Sequence, residues 1–302
     1  MRVLNDKNKV LSFGSLNIDK IYKVQSIVRP GETLSSQGIS QNVGGKGLNQ
    51  SIALSKAGSK VYHAGAVGKE DGKVLIETLK AEKIDTQYVL EKNMLSGNAI
   101  IQVDATGQNS IVLYEGANKS LTVEEVENIL NNFSSGDCII LQNEINQLPK
   151  IISLASEKGM TIFFNPSPLN DEVFKCNLSK IDWFFVNEIE AAQLSGQEEY
   201  NQDTLDLLIT KYPDANFVIT LGERGSLCYF EGEVYEQGIH KVDVVDTTGA
   251  GDTFTGYFIT TFLETKDIKL SLKYASIASG IAVSRPGASS SIPSIDEVRK
   301  LL

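Results

Sequence analysis

The chain has 302 residues, 41% apolar and 22% charged, the balance of a soluble globular protein that can build its own core without disulfides or a structural metal. Its net charge of −10 at pH 7 argues against nucleic-acid backbones and anionic membranes as main partners, but not against a phosphorylated ligand held by backbone N–H groups. Three scattered cysteines, Cys138, Cys176 and Cys228, make no C-x-x-C pair and read as buried thiols, and His63 and His240, each in a strand-like context, make no metal-ligand pattern.

The first residues carry no apolar leader and no run of about 18 apolar residues occurs, so the expected compartment is the cytoplasm. "KVLSFGS" (9–15) reads as the first strand. "GSLNID" follows it, and Asn17 and Asp19 share one face if the chain stays extended. A carboxylate beside a carboxamide can clamp sugar hydroxyls or simply be a solvated loop pair. Residues 17–42, with a Pro30-Gly31 turn, break the alternation of strand and helix. "NVGGKGLNQS" (42–51) is not a P-loop, because Lys46 is followed by Gly47 rather than Ser or Thr. It is a glycine-dense turn opening a helix from Leu48 to Ala57, closed by Gly58. Either its backbone approaches a ligand closely, or it is only a helix entry.

"KVYHAGAVG" (60–68) reads as a strand, and Val74, Leu75, Leu79 and Ile84 form a helical stripe after it. Two alternating runs in residues 97–116, around Ala105–Gln108, read as a β-hairpin. With 17–42 it can form a small sheet standing off the main one, a lid, or the two can be edge hairpins. Thr122 and Glu125 make a capping-box signature before Val126, Ile129, Leu130 and Phe133. Apolar strands at 137–145, 160–168, 181–194 and 216–225 continue the rhythm, predicting an α/β fold with a parallel sheet covered on both faces. Ligands in such sheets sit at the carboxyl ends of the strands, which directs attention to Asn187, Thr220 and Asp246–Thr248.

"DTTGAGDTFTG" (246–256) places Gly249, Ala250 and Gly251 ahead of a helix marked by Phe254, Tyr257, Phe258, Thr261 and Phe262. Unpaired N–H groups and the positive end of the helix dipole gather there and stabilise negative charge. Asp252 is then either an N-cap or a base beside a reacting phosphoryl group.

"GGKGLNQ" and "DTTGAGDTFTG", with "GSLNID", "PGET", "EGAN", "NEIEA", "ITLGERG" and "AVSRPGA" in order along nearly the whole chain, resemble the ribokinase-like, or PfkB, carbohydrate kinases, and within them the sugar-phosphorylating members with a GGKG-x-NQ turn and a β-sheet lid. The resemblance implies a three-layer α/β sandwich, mostly parallel, as one domain over residues 1–302 with a lid from 17–42 and 97–116. It implies ATP-dependent phosphorylation of a small sugar, D-ribose above fructose, a nucleoside or another sugar. Asp252 is the implied base, and Gly249, Ala250 and Gly251 the anion hole. Asn17, Asp19, Gly44, Gly45, Lys46, Asn49 and Glu144 are implied to bind the sugar, with Ala99, Ile101 and Leu113 on its apolar side. Asn187 and Glu190 match an N-x-x-E motif that orients Mg²⁺ and phosphate; Thr220, Gly222, Gly225 and Ser276 are implied to line the ATP site. Asp246, Thr248, Ala282, Arg285, Gly287 and Ser291 match a K⁺ site built largely from carbonyls, and a homodimer through the lid is implied.

Three positions depart from the family pattern: Tyr257 replaces a small residue, Ser276 a larger polar one, and Asn98 an apolar lid residue whose loss is expected to widen sugar choice. A silent sugar sensor would need no base, and a nicotinamide dehydrogenase would need the absent G-x-G-x-x-G after a strand.

Overall fold

The structure is a computed structural model that describes residues 9–302; residues 1–8, on which the expectation of no apolar leader falls, lie outside it. In chain order the elements are β1 (Val10–Phe13), β2 (Asn17–Lys23), β3 (Gly38–Gly44), α1 (Lys46–Ala57), β4 (Val61–Gly68), α2 (Lys73–Ala81), β5 (Asp85–Lys92), β6 (Gly97–Val103) and β7 (Asn109–Tyr114). Next come α3 (Val123–Leu130), β8 (Cys138–Gln142), α4 (Leu148–Glu157), β9 (Thr161–Asn165), β10 (Trp183–Asn187), α5 (Glu188–Ser195) and α6 (Thr204–Lys211). The chain ends with β11 (Asn216–Thr220), β12 (Ser226–Phe230), β13 (Glu233–Gln237), α7 (Ala250–Thr265), α8 (Ile268–Val283) and α9 (Ile295–Arg299).

Among the described residues, nine strands form one sheet in the order β13-β12-β11-β10-β9-β8-β1-β4-β5. Pairing is parallel from β11 to β5 and antiparallel for β12 and β13. Strand periodicity builds the two core layers: in β10, Trp183 and Phe185 join the core under α1, α7 and α8, while Phe184 and Val186 join the core under α3 to α6. Each buried strand is therefore apolar on both faces, as expected for a covered parallel sheet.

The capping box on α3 forms as the sequence predicts, with Thr122 and Glu125 exchanging hydrogen bonds. The turn after β3 opens α1, which Gly58 closes in a left-handed conformation. Helix α7 exceeds its predicted stripe: every residue from Asp252 to Leu263 is buried, because α1, α8 and the sheet surround it. Tyr257 is fully buried and its hydroxyl donates to the Pro293 carbonyl at 2.7 Å, so this departure from the family pattern is a packing feature.

The three cysteines are free and buried, and burial pushes the Cys138 thiol up to about 12. His63 is structural, fully buried in β4 with Nδ1 2.7 Å from the Ser51 hydroxyl; burial drives it down to about 3. His240 corrects its strand-like reading. It lies in a segment without regular structure after β13, where its N–H donates to the Ser276 hydroxyl at 3.1 Å. The neighbouring runs there are apolar enough to imitate a strand, but no sheet partner is present for them among the described residues.

Residues 17–44 and 97–114 do not extend the main sheet. They pair with each other as a second sheet in the order β3-β2-β6-β7.

Candidate active site

Adjacent strands whose connections leave to opposite faces open a crevice at their carboxyl ends. Here β1 runs on to α1 in one core layer and the neighbouring β8 to α4 in the other. The loops after β1 and β8 meet in that crevice. Glu144 Oε2 accepts a short hydrogen bond from the Ser15 hydroxyl and another from the Lys46 N–H at 2.9 Å. Ser15 Oγ in turn accepts from the Gly47 N–H at 3.2 Å. The glycine-dense turn is thus docked onto the β1 loop: a side chain on Gly47 would start 2.3 Å from the Ser15 nitrogen. The close approach, rather than helix entry alone, accounts for the glycine there.

The second sheet supplies the other wall. Register fixes which side chains share a face: Asn17 lies opposite Gly44 and Gly97, and Asp19 opposite Asn42 and Ala99, with Leu113 beyond. Ile101, paired with Ile21 and Ile111, is on that same face. Asp19 and Ala99 are half-buried and buried, whereas Leu113 is 66% exposed. Asn17 Oδ1 accepts from Asn118 Nδ2 at 2.7 Å, which orients its carboxamide. Asn98 is out of phase. It pairs with Ile18 and Tyr114 on the opposite face and donates to the Ser96 carbonyl at 3.3 Å. The expectation that Asn98 widens sugar choice is corrected by strand parity, since its side chain points away from Asp19.

Asp252 sits in the first turn of α7 and is 7% exposed. Gly249, with φ 73°, is the N-cap, and no side chain caps the helix. The N-cap alternative for Asp252 therefore fails. Its carboxylate is bound across to α1 instead: Oδ2 accepts from Asn49 Nδ2 at 3.0 Å and Oδ1 from Gln50 Nε2 at 2.9 Å. Asn49 Oδ1 is buried and without a partner, leaving an acceptor free for a donor such as a hydroxyl. Asp252, Gly249, Gly251 and Lys46 line a cavity of about 310 Å³ with Asn187, Glu190 and Thr220.

The charges in this cleft act on one another. Burial works to lower Lys46, but the carboxylates of Asp252, Glu144 and Glu190 outweigh it and hold the ammonium above its ordinary value. Burial raises Glu144, with Lys46 and the Ser15 hydrogen bond opposing. Asp19 is pushed up to about 6, first by burial and then by Glu144.

Asn187 and Glu190 form a capping box on α5, Asn187 Oδ1 accepting from the Glu190 N–H at 2.8 Å and Glu190 Oε2 from the Asn187 N–H at 3.1 Å. The second Glu190 oxygen lies outside the box, and Glu190 lines the cavity with Asp252. A second cavity of about 630 Å³ adjoins the first through Asn187, Thr220, Thr247 and Gly251. Its walls include Gly222, Gly225, Ile239, Val244, Ala250, Ser276 and Val283, a mostly apolar slot between α8 and the β11 loop. Ser276 also donates to the Gly238 carbonyl at 2.8 Å, so its size is set by the segment it anchors.

Behind the α7 N-terminus, Asp246 joins two loops: it accepts from Thr248 N and Oγ1 at 2.9 and 2.6 Å and from the Gly287 N–H at 2.9 Å. Those bonds hold its carboxylate below the ordinary range even though burial opposes them. Arg285 turns its guanidinium to Glu297 at 2.6 Å, so only its carbonyl is available to the loop. Ser291 is buried and donates to the Ala288 carbonyl at 2.8 Å, and Ala282 is buried in α8. Sequence reasoning missed Ser15, Gln50 and Gln142. The first two lie inside the quoted motifs, but nothing local says that their partners are Glu144 and Asp252.

The model of the pfkB family of carbohydrate kinases matches residues 7–295. The chain belongs to this family. A ribokinase from Haemophilus influenzae is 33% identical over 299 residues, with 96% of each chain covered. The crystal structure of a ribokinase from Cryptococcus neoformans in complex with ADP has a TM-score of 0.85 at 32% identity, covering 98% of this chain and 100% of the other. The structure of an Arabidopsis thaliana ribokinase complexed with ribose and ATP gives 0.85 at 27% identity, covering 97% and 98%. This pfkB-family chain is thus a mixed α/β kinase with a large, mostly parallel sheet flanked by helices and a small second sheet.

Proposed function

We propose that this chain transfers the terminal phosphoryl group of ATP to the 5-hydroxyl of D-ribose. The observation that carries the reading is the placement of Asp252 in the first turn of α7, on a cavity that Gly249, Gly251 and Lys46 also line. The similar ribokinases and their ADP-bound or ribose- and ATP-bound structures support the choice of substrates.

In this reading Asn17, Asp19, Gly44, Gly45, Lys46, Asn49 and Glu144 hold the sugar hydroxyls. Ala99, Ile101 and Leu113 cover its apolar side as the second sheet closes as a lid and excludes water. Asp252 accepts the hydroxyl proton. A carboxylate is a far weaker base than an alkoxide, so the proton moves late, as the phosphoryl group departs. The N–H groups of Gly249 and Gly251 bear the charge that spreads over the transferred oxygens; the Ala250 N–H, implied by the resemblance to join them, donates instead to the Thr247 carbonyl at 3.2 Å. The slot lined by Gly222, Gly225 and Ser276, with Thr220 at its junction, holds the nucleotide base.

The donor chemistry fits two ions. Mg²⁺ would arrive with the nucleotide and supply positive charge at its phosphates, and the Glu190 oxygen outside the capping box, beside Asn187, would order its water shell. The Asp246 carboxylate, the Ser291 hydroxyl and the carbonyls of Thr248, Ala282, Arg285 and Gly287 are oxygen donors suited to K⁺, which adds fixed positive charge beside the nest. Exposed Ile39, Ile100 and Val112 on the far side of the lid sheet suit a homodimer through the lid.

ADP release with ATP–Mg²⁺, measured across ribose, 2-deoxyribose, fructose and nucleosides with and without K⁺, tests this reading. Ribose is expected to give the highest kcat/KM and K⁺ to raise it. A nucleoside or hexose preferred by tenfold or more would move the assignment to another kinase of the family, and no turnover on any acceptor would point to a sensor.

A further inference from the structure

Two buried carboxamides have no part in the mechanism above. Gln50, in α1, is 1% exposed and Gln142, at the end of β8, is 0% exposed. Gln142 Nε2–H donates to Gln50 Oε1 at 2.7 Å, and Gln50 Nε2–H donates to Asp252 Oδ1 at 2.9 Å. A carboxamide has one donor end and one acceptor end. An ionised Asp252 requires the NH₂ of Gln50 to face it, and the Gln50 carbonyl then needs a donor from behind. Gln142 supplies that donor. Turning Gln50 over would set oxygen against oxygen at the base, and turning Gln142 over would do so between the two amides.

The arrangement has a cost. Gln142 Oε1 is buried with no partner, and a side chain on Gly14 would begin 2.1 Å from it. A buried acceptor left unpaired disfavours folding, and two apolar side chains of similar volume would fill the space without it. Packing therefore does not account for the pair, whereas the charge at its end does.

We propose that Gln142 and Gln50 are positioning residues for phosphoryl transfer: a polar relay from β8 through α1 that fixes the rotation of the Asp252 carboxylate. Asn49 Nδ2 pins the other oxygen at 3.0 Å, so the lone pairs left toward the cavity are those an incoming hydroxyl meets. The donors are neutral, so they orient the base with less loss of proton affinity than a cation in contact would cause. The charged groups around Asp252 are Lys46 and Glu144, with Glu190 on the same cavity; Gln142→Leu alters none of them, and Gln142→Glu adds one carboxylate behind Gln50. The proposal rests on the reading of Asp252 as base.

The test uses the full chain with Gln142→Leu and Gln142→Glu, following kcat, KM for ribose and ATP–Mg²⁺, and the pH profile, alongside thermal melts. Gln142→Leu removes the rear donor. It is expected to lower kcat about tenfold, keep both KM values within about twofold, and move the acidic limb of kcat/KM to higher pH, since the ionised base has lost support. Gln142→Glu keeps the shape but offers only acceptors at neutral pH, so Gln50 turns its NH₂ away from Asp252. Here kcat is expected to fall about a hundredfold, with a larger shift of the limb in the same direction. Two folded variants with wild-type kcat and limb overturn the proposal, as does a lowered melting temperature with an unmoved limb, the mark of a purely structural pair. If Gln142→Glu does not fold, Gln142→Leu decides alone. Asp252→Asn is run beside them: an active Asp252→Asn defeats the base reading and the relay with it, whereas an inactive one beside unperturbed Gln142 variants defeats the relay only.

Discussion

At Asp252, exchanging one carboxylate oxygen for an amide nitrogen barely changes volume but removes the proton acceptor. Asp252→Asn is expected to lower kcat by about 10²–10⁴ with a sugar KM within a few-fold of wild type, read by coupled ADP release. Asp19 shows a different trade. Its folded-state value, pushed up to about 6 from 3.8 by burial and then by Glu144, means that the native state binds the proton more tightly than the unfolded chain. Stability contributed by the protonated form is present below about pH 4 and is lost as pH rises through about 6. Ionised Asp19 therefore strains the fold at neutral pH by something on the order of 2–3 kcal/mol at most. Asp19→Asn should raise the melting temperature at pH 7.5 but not at pH 4, and should weaken ribose binding at pH 7.5. Equal melting temperatures at pH 7.5 would contradict this account.

Between elements, the site depends on how closely α1 and α7 approach, since Asn49 and Gln50 reach Asp252 from one helix to the other. A Cβ on Gly256 would lie 2.4 Å from the Ala53 Cβ and 2.8 Å from the Leu54 nitrogen. Backbone atoms cannot give way as a flexible side chain would, so Gly256→Val is expected to destabilise by about 1–3 kcal/mol or more, seen as a lower urea midpoint, and to reduce kcat as the two helices part. The small sheet acts at the same scale. Leu113 is 66% exposed here and would be covered on closure over a sugar. Leu113→Ala removes part of a gain of about 1.5–3 kcal/mol, so KM for ribose is expected to rise about tenfold with kcat within about threefold. An unchanged KM would detach β7 from the sugar.

The whole molecule presents two surfaces on its small sheet, one toward the crevice and one away from it. On the outer surface Ile39 is 64% exposed, Val112 62% and Ile100 43%, an apolar patch with edges that a second copy would cover. Val112→Asp should shift the mass measured by light scattering from dimer to monomer; a wild-type chain that is already a monomer would refute the lid-paired arrangement.

Much of this chemistry was legible in order along the chain. Local physics ties a glycine-dense turn to close backbone approach, three small residues to a helix N-terminus, and Thr122 with Glu125 to a capped helix start. These motifs hold their meaning within a few residues, and so the α/β layering came from the sequence alone, as did the proposal of a nest and a base at the start of α7. Contacts between distant segments did not. The Ser15–Glu144 and Gln142–Gln50 bonds span 129 and 92 residues. That Asp252 faces α1 instead of capping α7 turned on where α1 packs. Asn98 was misjudged because an alternating strand shows that neighbours face opposite ways, but only register says which way is in. His240 was misplaced because an apolar run becomes a strand only where another strand accepts its hydrogen bonds. Sequence order fixes what each segment can offer; packing decides which offers meet, because the energy of a contact exists only once both partners are in place.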